Sequence, residues 1–289
     1  MPWAEQEFGK ARTQAILQAI SSIFQRQPRT LLPLHAVRSR ILVRGQHYLG
    51  LQSVRLDRIV GSEGRALEFD RHFLPRTGHT KARWMNIILA SLPGRQLPPI
   101  EVYKLGAVYF VRDGNHRVSV ARRQGQVEID AYVTELATDV VVRSELTASN
   151  LVHLEEQSDF LEWTNLARVR CSITIEVSML GGYLDLIGHI NRHRTALSSE
   201  RGYEVAPDEA TAHWYDTVYL PVINRIRHSN VMQRERGMTE AELFLAVLAY
   251  GDRQCAQGVE LTLTQAAEQY IAHVPRPTLL CRLWTRLRS

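Results

Sequence analysis

The chain is poor in lysine, in cysteine and in long apolar runs, and each shortage narrows its class. Lys10, Lys81 and Lys104 are its only lysines, so arginine supplies all the rest of the 35 cationic side chains. Guanidinium forks suit phosphate and carboxylate. So uniform a preference also follows from genomic base composition, so arginines count only by position. Cys171, Cys255 and Cys281 are odd in number and widely spaced. That is neither a disulfide framework nor a zinc-ligand pattern, and it fits a reducing compartment. No apolar run approaches the ~20 residues of a bilayer span. The opening MPWAEQEFGK lacks the basic-then-apolar pattern of a secretory leader. The expectation is a cytoplasmic protein with no membrane partner. What is present is ordinary for a globular chain: 289 residues, 45% hydrophobic, 22% charged, net charge +5. That length is enough for two domains with real cores.

Apolar Ala11, Ile16, Ala19, Ile20 and Ile23 recur at helical spacing and predict a helix over 4–26, stopped by Gln27-Pro28. A short helix is expected after Pro33. SVRLDRIV (53–60) alternates as a strand that runs into a loop at 61–65. KARWMNIILASL (81–92) reads as a helix with Thr80 as its N-cap. A hairpin follows, with strands at 100–104 and 107–112 about a Leu105-Gly106 turn. Next come a helix to Gln124, closed by Gly125, and a strand at 127–135. Beyond residue 145 helices are expected near 148–166, 182–197, 208–230, 239–256, 264–273 and 278–287, interrupted by a β-rich SITIEV (172–177). The expected class is α+β: N-terminal helices over 1–45, a sheet domain over 46–140 and a mainly α-helical domain over 141–289.

The unusual chemistry sits in VRDGNHRVSV (111–120), where a strand turns into a helix. Unpaired N–H groups and the positive end of a helix dipole converge at such a corner and favour an anion. Gly114 allows close backbone approach. His116 and Arg117 add donors, and Arg117 can hold a phosphate through two nitrogens. Alternatively, Asp113 or Asn115 simply caps the helix. The His-Arg pair and the basic Arg122-Arg123 turn the reading toward an anion site.

Here the sequence resembles a known family. PPIEVYKLGAVYFVRDGNHRVSVARRQGQVEIDAYV looks like the core of the ParB/sulfiredoxin fold, with its P-I-x-V strand, Gly-x-(His/Arg)-Arg box, small-residue helix and closing strand. VRLDRIVGSEGR resembles that fold's first strand and arginine loop, with Arg65 at the arginine. The whole chain also looks like a bacterial group often labelled transcriptional regulator or ParB-like nuclease. The resemblance implies a nucleotide (ATP, ADP or CTP) held by its phosphates at the box, with Mg2+. Asn115 stands where sulfiredoxins carry their cysteine nucleophile, so their chemistry is excluded. Asn115 and His116 also replace the glutamate and second arginine of the ParB box, which argues against a ParB-type CTP switch. The box is most similar to the Asp-Gly-His-His-Arg-like box of free-serine kinases of this fold.

Phosphoryl transfer needs phosphate donors, a divalent cation and a carboxylate. The donors expected are Arg65, Arg112, Gly114, Asn115, His116 and Arg117. The catalytic candidates are Glu63, Asp113 and His116, with Glu63 and Asp113 also the candidate ligands for magnesium. Asp57 is a further nearby carboxylate, while Glu68 and Asp70 are expected to cap or to pair with Arg71. The leading expectation is a nucleotide-dependent phosphotransferase or hydrolase acting on a small hydroxyl-bearing acceptor. The alternatives are a nucleotide-switched, DNA-associated regulator without turnover, and a protein-interaction module whose box is a structural turn. His189 and His193, four apart in HINRH, lack a partner carboxylate and read as a basic helix face. Trp214, Tyr215 and Val218 read as core. Residues 261–284 offer the best helix-turn-helix candidate, but Pro275 and Pro277 fall inside its second helix and exclude a well-formed one. Arg276, Arg282, Arg286 and Arg288 there could still form a phosphate-contacting patch.

Overall fold

The computed structural model describes residues 2–25, 30–92, 97–170 and 173–273, without the side chains of 20–25. The chain divides into two compact units, Met1–Ser158 and Asp159–Ser289. The first is mixed sheet and helix and the second is helical, an α+β protein. No helix among the described residues is long and apolar enough to cross a membrane.

The first unit contains α1 (Pro2–Gln25), β1 (Leu32–Pro33), α2 (Leu34–Arg38), β2 (Gly45–Arg55), β3 (Ile59–Ser62) and α3 (Lys81–Ala90). It continues through β4 (Ile100–Leu105), β5 (Val108–Asp113), α4 (Asn115–Arg123) and β6 (Glu128–Ala137). The six strands form one sheet in the order β1-β3-β5-β4-β6-β2. β4 pairs antiparallel with β5 and parallel with β6, so the predicted hairpin is the centre of the sheet. Buried Ile100, Val102, Val111, Ala131 and Val133 from the strands share one core with Val118 and Ala121 of α4 and with Phe69 and Phe73 of the loop after β3. Gly125, at φ +74°, ends α4 as expected, and the amide of Gln126 returns to Ala121 O.

The apolar face of α1 shares Ala11 with the predicted one but not Ile16. Ala4, Phe8, Ala11 and Ala15 are buried against Trp84 and Ile88 of α3 and Val120 of α4, whereas Ile16 is exposed. The small alanines let α1 lie close on Trp84, whose indole N–H donates to Ser119 Oγ at 2.9 Å. Lys81–Glu5 and Arg123–Glu7 ion pairs fix α1 over α3 and α4. The Gln27-Pro28 stop lies outside the described residues.

SVRLDRIV is not one strand. β2 ends at Arg55, a 3-10 turn covers Leu56–Arg58, and β3 then pairs parallel with β5. The break is held by Arg122, whose Nη2 donates to Leu56 O at 2.5 Å and Ile59 O at 2.8 Å. The long first part of β2 escapes the sequence pattern because a bulge between Tyr48 and Gly50 resets the alternation against β6. Thr80 does not cap α3 with its side chain; its hydroxyl donates to Thr77 O at 2.9 Å.

α5 (Leu151–Thr164) runs from the first unit into the second. The second unit then holds α6 (Leu166–Val169), α7 (Gly182–Arg201), α8 (Pro207–Trp214), α9 (Leu220–His228), α10 (Val231–Arg234), α11 (Glu240–Ala256) and α12 (Leu263–His273). A π-helical turn, Tyr215–Tyr219, joins α8 to α9 ahead of Pro221, which has no N–H to continue an α-helical ladder. Phe244 packs edge-on against both Trp214 and Tyr219, with Tyr215 buried beside them.

SITIEV is extended but unpaired. Ile173–Val177 joins no strand among the described residues, and Ser172 lies outside them. Side chains take its end instead: Val177 N donates to Tyr183 Oη at 3.2 Å, and Ser178 N to Glu242 Oε1 at 2.6 Å. Glu242 also accepts from Ser178 Oγ, Met179 N and, in a capping box, Thr239 N. Burial opposes its charge, yet these bonds outweigh burial and hold the carboxyl below its ordinary range. Glu242→Ala is therefore expected to cost about 2 kcal/mol, measured by urea unfolding of the full chain. Because the native pKa is lowered, that contribution is complete above the unfolded carboxyl range and is lost as pH falls from there through the lowered native value.

Candidate functional site

Asp113 is the last residue of central strand β5, and Gly114 turns the chain into α4 with φ +106° and ψ 20°. A Cβ at Gly114 would stand 2.5 Å from Ile100 Cγ2 and 2.9 Å from Ile100 Cβ. The turn thus requires glycine twice, for its backbone angle and for space. No side chain caps α4, so the capped-turn alternative through Asp113 or Asn115 is not what the structure shows. The amides of its first turn remain the positive end of a nine-residue helix.

Asn115 and His116 lie directly beneath, 4% and 5% exposed. Asn115 Oδ1 and His116 Nδ1 are buried without a hydrogen-bond partner. Such orphans are uncommon in folded proteins. The His116 ring packs edge-on against Phe69 at 5.2 Å. Burial, followed by the positive charges of Arg83 and Arg65, draws its pKa down to about 4. Neutral imidazole keeps one N–H, and an amide can present either N–H or oxygen, so both side chains can serve an oxyanion.

A cavity of about 50 Å3 opens over these groups, walled by Arg65, Arg83, Arg112 and Arg117. It has room for a few water-sized groups, not for a whole organic ligand of ordinary pocket size. The four arginines are not equivalent. Arg117 spends Nη1 on the carbonyls of Pro98 (2.8 Å) and Pro99 (2.6 Å) and Nη2 on Asp113 Oδ2 (2.5 Å). Arg65 pairs with Glu68 at 3.1 Å, and Arg112 reaches Glu101 at 3.6 Å. Arg83, exposed in the first turn of α3, makes no ion pair among the described residues. The sequence reading missed Arg83. Its signal was the four-residue step from Arg83 to Ile87, which puts both on the α3 face lining the cavity.

The structure brings Asp113, Gly114, Asn115, His116, Arg117, Arg65 and Arg112 together around this cavity. Glu63 is exposed at the end of β3, its amide bonded to Val111 O at 2.9 Å, and does not line the cavity. Asp57 pairs with Arg55. Glu68 pairs with Arg65 rather than Arg71, and Asp70 is buried, accepting from the amides of His72 and Leu74. Asp113 is the one carboxylate on the cavity wall, and one of its oxygens faces Arg117. No cluster of three metal-ligating side chains occurs among the described residues. Magnesium commonly binds through one or two carboxylates plus substrate phosphates, and Asp113 fits that limited role.

His189 and His193 do not form a solvent-facing basic stripe. Trp214 Nε1 donates to His189 Nδ1 at 2.8 Å, and His193 Nε2 lies 2.9 Å from His213 Nδ1. Of the helix-turn-helix candidate, α12 is described; residues 274–284, with the arginines beyond them, lie outside the described residues.

Fold and site together define an α+β protein with an arginine-walled corner at a helix N-terminus. No family model and no curated protein matches the chain. Among solved structures it is similar to sulfiredoxin from Arabidopsis thaliana, at 16% identity over 36% of this chain and 94% of that one, with a TM-score of 0.23. It is also similar to a Pnob8-like ParB-N domain, at 13% identity over 78% of this chain and 80% of that one, again with a TM-score of 0.23. At such scores neither likeness bears on function.

Proposed function

We propose that this chain has a ParB/sulfiredoxin-like first unit and binds a nucleotide by its phosphates at the α4 corner. The observation that carries the reading is the pair of buried, unpartnered groups, Asn115 Oδ1 and His116 Nδ1, at an uncapped helix N-terminus walled by four arginines. The cavity takes one phosphate, so base and sugar lie outward. Magnesium would come in with the nucleotide, held on the protein side by Asp113. The reaction class is phosphoryl transfer or hydrolysis, with Asp113 as the carboxylate inside the cavity and Glu63 on the adjoining loop. His116, neutral near pH 7, donates a hydrogen bond rather than a charge.

Arg83→Ala should weaken binding of ATP, ADP, CTP or GTP about tenfold, the loss of one charge-assisted contact, and leave the melting temperature unchanged. Calorimetric titration with and without magnesium reads both terms. Wild type that binds none of the four, or an Arg83→Ala variant that binds as wild type does, refutes the proposal. Product analysis with small hydroxyl acceptors then tests turnover, which Asp113→Asn and Glu63→Gln should remove.

A second reading, a nucleotide-switched DNA-associated regulator without turnover, is favoured by one observation. Asp113 is already paired with Arg117, and Glu63 lies outside the cavity. Its signature would be nucleotide-dependent duplex binding that weakens steeply with salt.

A further inference from the structure

β2 ends the sheet on its β6 side. It pairs with β6 along one edge only, and its backbone makes no further hydrogen bond among the described residues. An open edge of this kind templates another strand, and folded proteins usually blunt it with lysine, proline or charge. β2 carries none of these from Gly45 to Val54: GQHYLGLQSV holds no Asp, Glu, Lys, Arg or Pro. Its one interruption is the bulge between Tyr48 and Gly50. Beyond the bulge, Gly50 to Arg55 pair residue for residue with Val133 to Glu128, so a regular edge remains.

The same stretch is apolar on one face. Leu51 stands opposite Tyr132 and Tyr48 opposite Thr134, and Tyr132 and Thr134, two apart on β6, share a face. Tyr48, Leu51 and Tyr132 therefore adjoin, at 68%, 57% and 42% exposure. Large apolar side chains gathered this way, rather than scattered, mark an interaction surface. Their surroundings narrow the partner. Glu101 lies beside Tyr132 on β4, and Asp130 and Glu128 lie further along β6, all three exposed. With those carboxylates beside it and no cation within Gly45–Val54, the patch opposes phosphate, and so a nucleic acid or an anionic lipid surface.

A second copy of the chain meets no such penalty. An antiparallel edge is its own complement under a two-fold axis, and a charge near that axis would face its own copy. Centred on Gln52, the edge pairs Gln52 with Gln52, Leu51 with Ser53 and Gly50 with Val54 of the second copy. No charged residue falls within that pairing. The two Leu51 side chains become diagonal neighbours, about 7 Å apart, and join the two patches.

We propose that β2 is a self-association edge, on which two copies of this chain join antiparallel at Gly50–Val54 into one continuous sheet. This goes beyond the nucleotide reading and does not depend on it.

Analytical ultracentrifugation of the full chain over a dilution series should show a dimer that dissociates reversibly. Hydrogen exchange at the amides of 50–54 should slow as the dimer forms. Leu51 is exposed, so Leu51→Lys and Leu51→Glu should melt as wild type does where all three are monomeric. Each should weaken the dimer about tenfold or more, because apolar contact is lost and like charges become neighbours. An equimolar mixture of the two should recover a heterodimer, which requires residue 51 of one copy to approach residue 51 of the other. Arg83→Ala, altered at the phosphate corner, should dimerise as wild type does. The proposal is overturned if wild type stays monomeric at its highest soluble concentration, or if Leu51→Lys dimerises as wild type does. It is also overturned if the mixture behaves as the separate variants do. A wild-type dimer whose exchange at 50–54 matches the monomer's overturns it without any variant.

Discussion

Gly114→Ala should lower the melting temperature by about 10 °C and abolish nucleotide binding. Two costs add at this position. A φ of +106° is strained for any residue with a Cβ, which costs about 1–2 kcal/mol. The new methyl would also meet Ile100 Cγ2 at 2.5 Å, and such overpacking costs about 1–3 kcal/mol. Together these come to roughly 3–4 kcal/mol, and about 2–4 °C per kcal/mol is typical of chains near this size. Ile100 is buried at the start of a central strand and cannot swing away. The corner must therefore open to admit the methyl, which moves the first amides of α4 off the cavity. Scanning calorimetry gives the first result and nucleotide titration the second. The steric share can be isolated with Ile100→Ala. In the double variant the Cγ2 clash is gone, while the φ strain and the 2.9 Å approach to the residue-100 Cβ remain, so the pair should show a coupling of about 1 kcal/mol. A Gly114→Ala protein that melts with wild type and still binds would show that the turn does not need glycine.

The corner was legible in the sequence because its determinants are local. Strand, glycine and helix follow one another within ten residues, and Asn115, His116 and Arg117 fall on the first turn by position alone. The hairpin and α4 were legible for the same reason, since alternation and helical spacing are clean there and Gly125 marks a stop. The roles of the arginines were not. Arg117 reads as a phosphate fork, yet Pro98 and Pro99 carbonyls, eighteen or more residues away in the chain, occupy Nη1. Arg83 reads as an ordinary charged helix residue, and only the packing of α3 beside α4 puts it over the cavity. β2 was lost to a one-residue bulge, which inverts a period-two pattern. α1 was read correctly at Ala11 and wrongly at Ile16, because three of its four buried contacts are alanines, whose small apolar signal is outweighed by an exposed isoleucine. SITIEV reads as a strand by composition, but nothing in the sequence says that Tyr183 and Glu242 will take its backbone donors.

His116 should make the protein acid-sensitive, by an amount its own removal reveals. Burial lowers the native pKa from 6.5 to about 4, so the neutral form is favoured in the folded chain and the unfolded chain binds the extra proton first. Stability is then complete above pH 6.5 and declines as pH falls through the window between the two values, by roughly 3 kcal/mol in all. His189, lowered to about 4 chiefly by burial, contributes with the same sign, so the informative quantity is a difference. Wild type minus His116→Gln, measured by urea unfolding between pH 7 and 4, should show a downward slope that His189, present in both proteins, cannot supply. A bound oxyanion would reverse the local electrostatics. An oxyanion in the cavity faces the imidazole that Arg83 and Arg65 now repel from charging, so the His116 pKa must rise on binding. Affinity should therefore increase as pH falls from 7 toward 5, while the free protein loses stability over the same interval. Sulfate is the suitable probe, because it does not titrate there as phosphate does. An upward shift of the His116 ring titration by NMR when sulfate is added, needing about tenfold more sulfate in Arg83→Ala, would tie the buried imidazole to the anion. A His116 titration unmoved by saturating sulfate would separate the two and leave the orphaned Nδ1 without a ligand to answer for it.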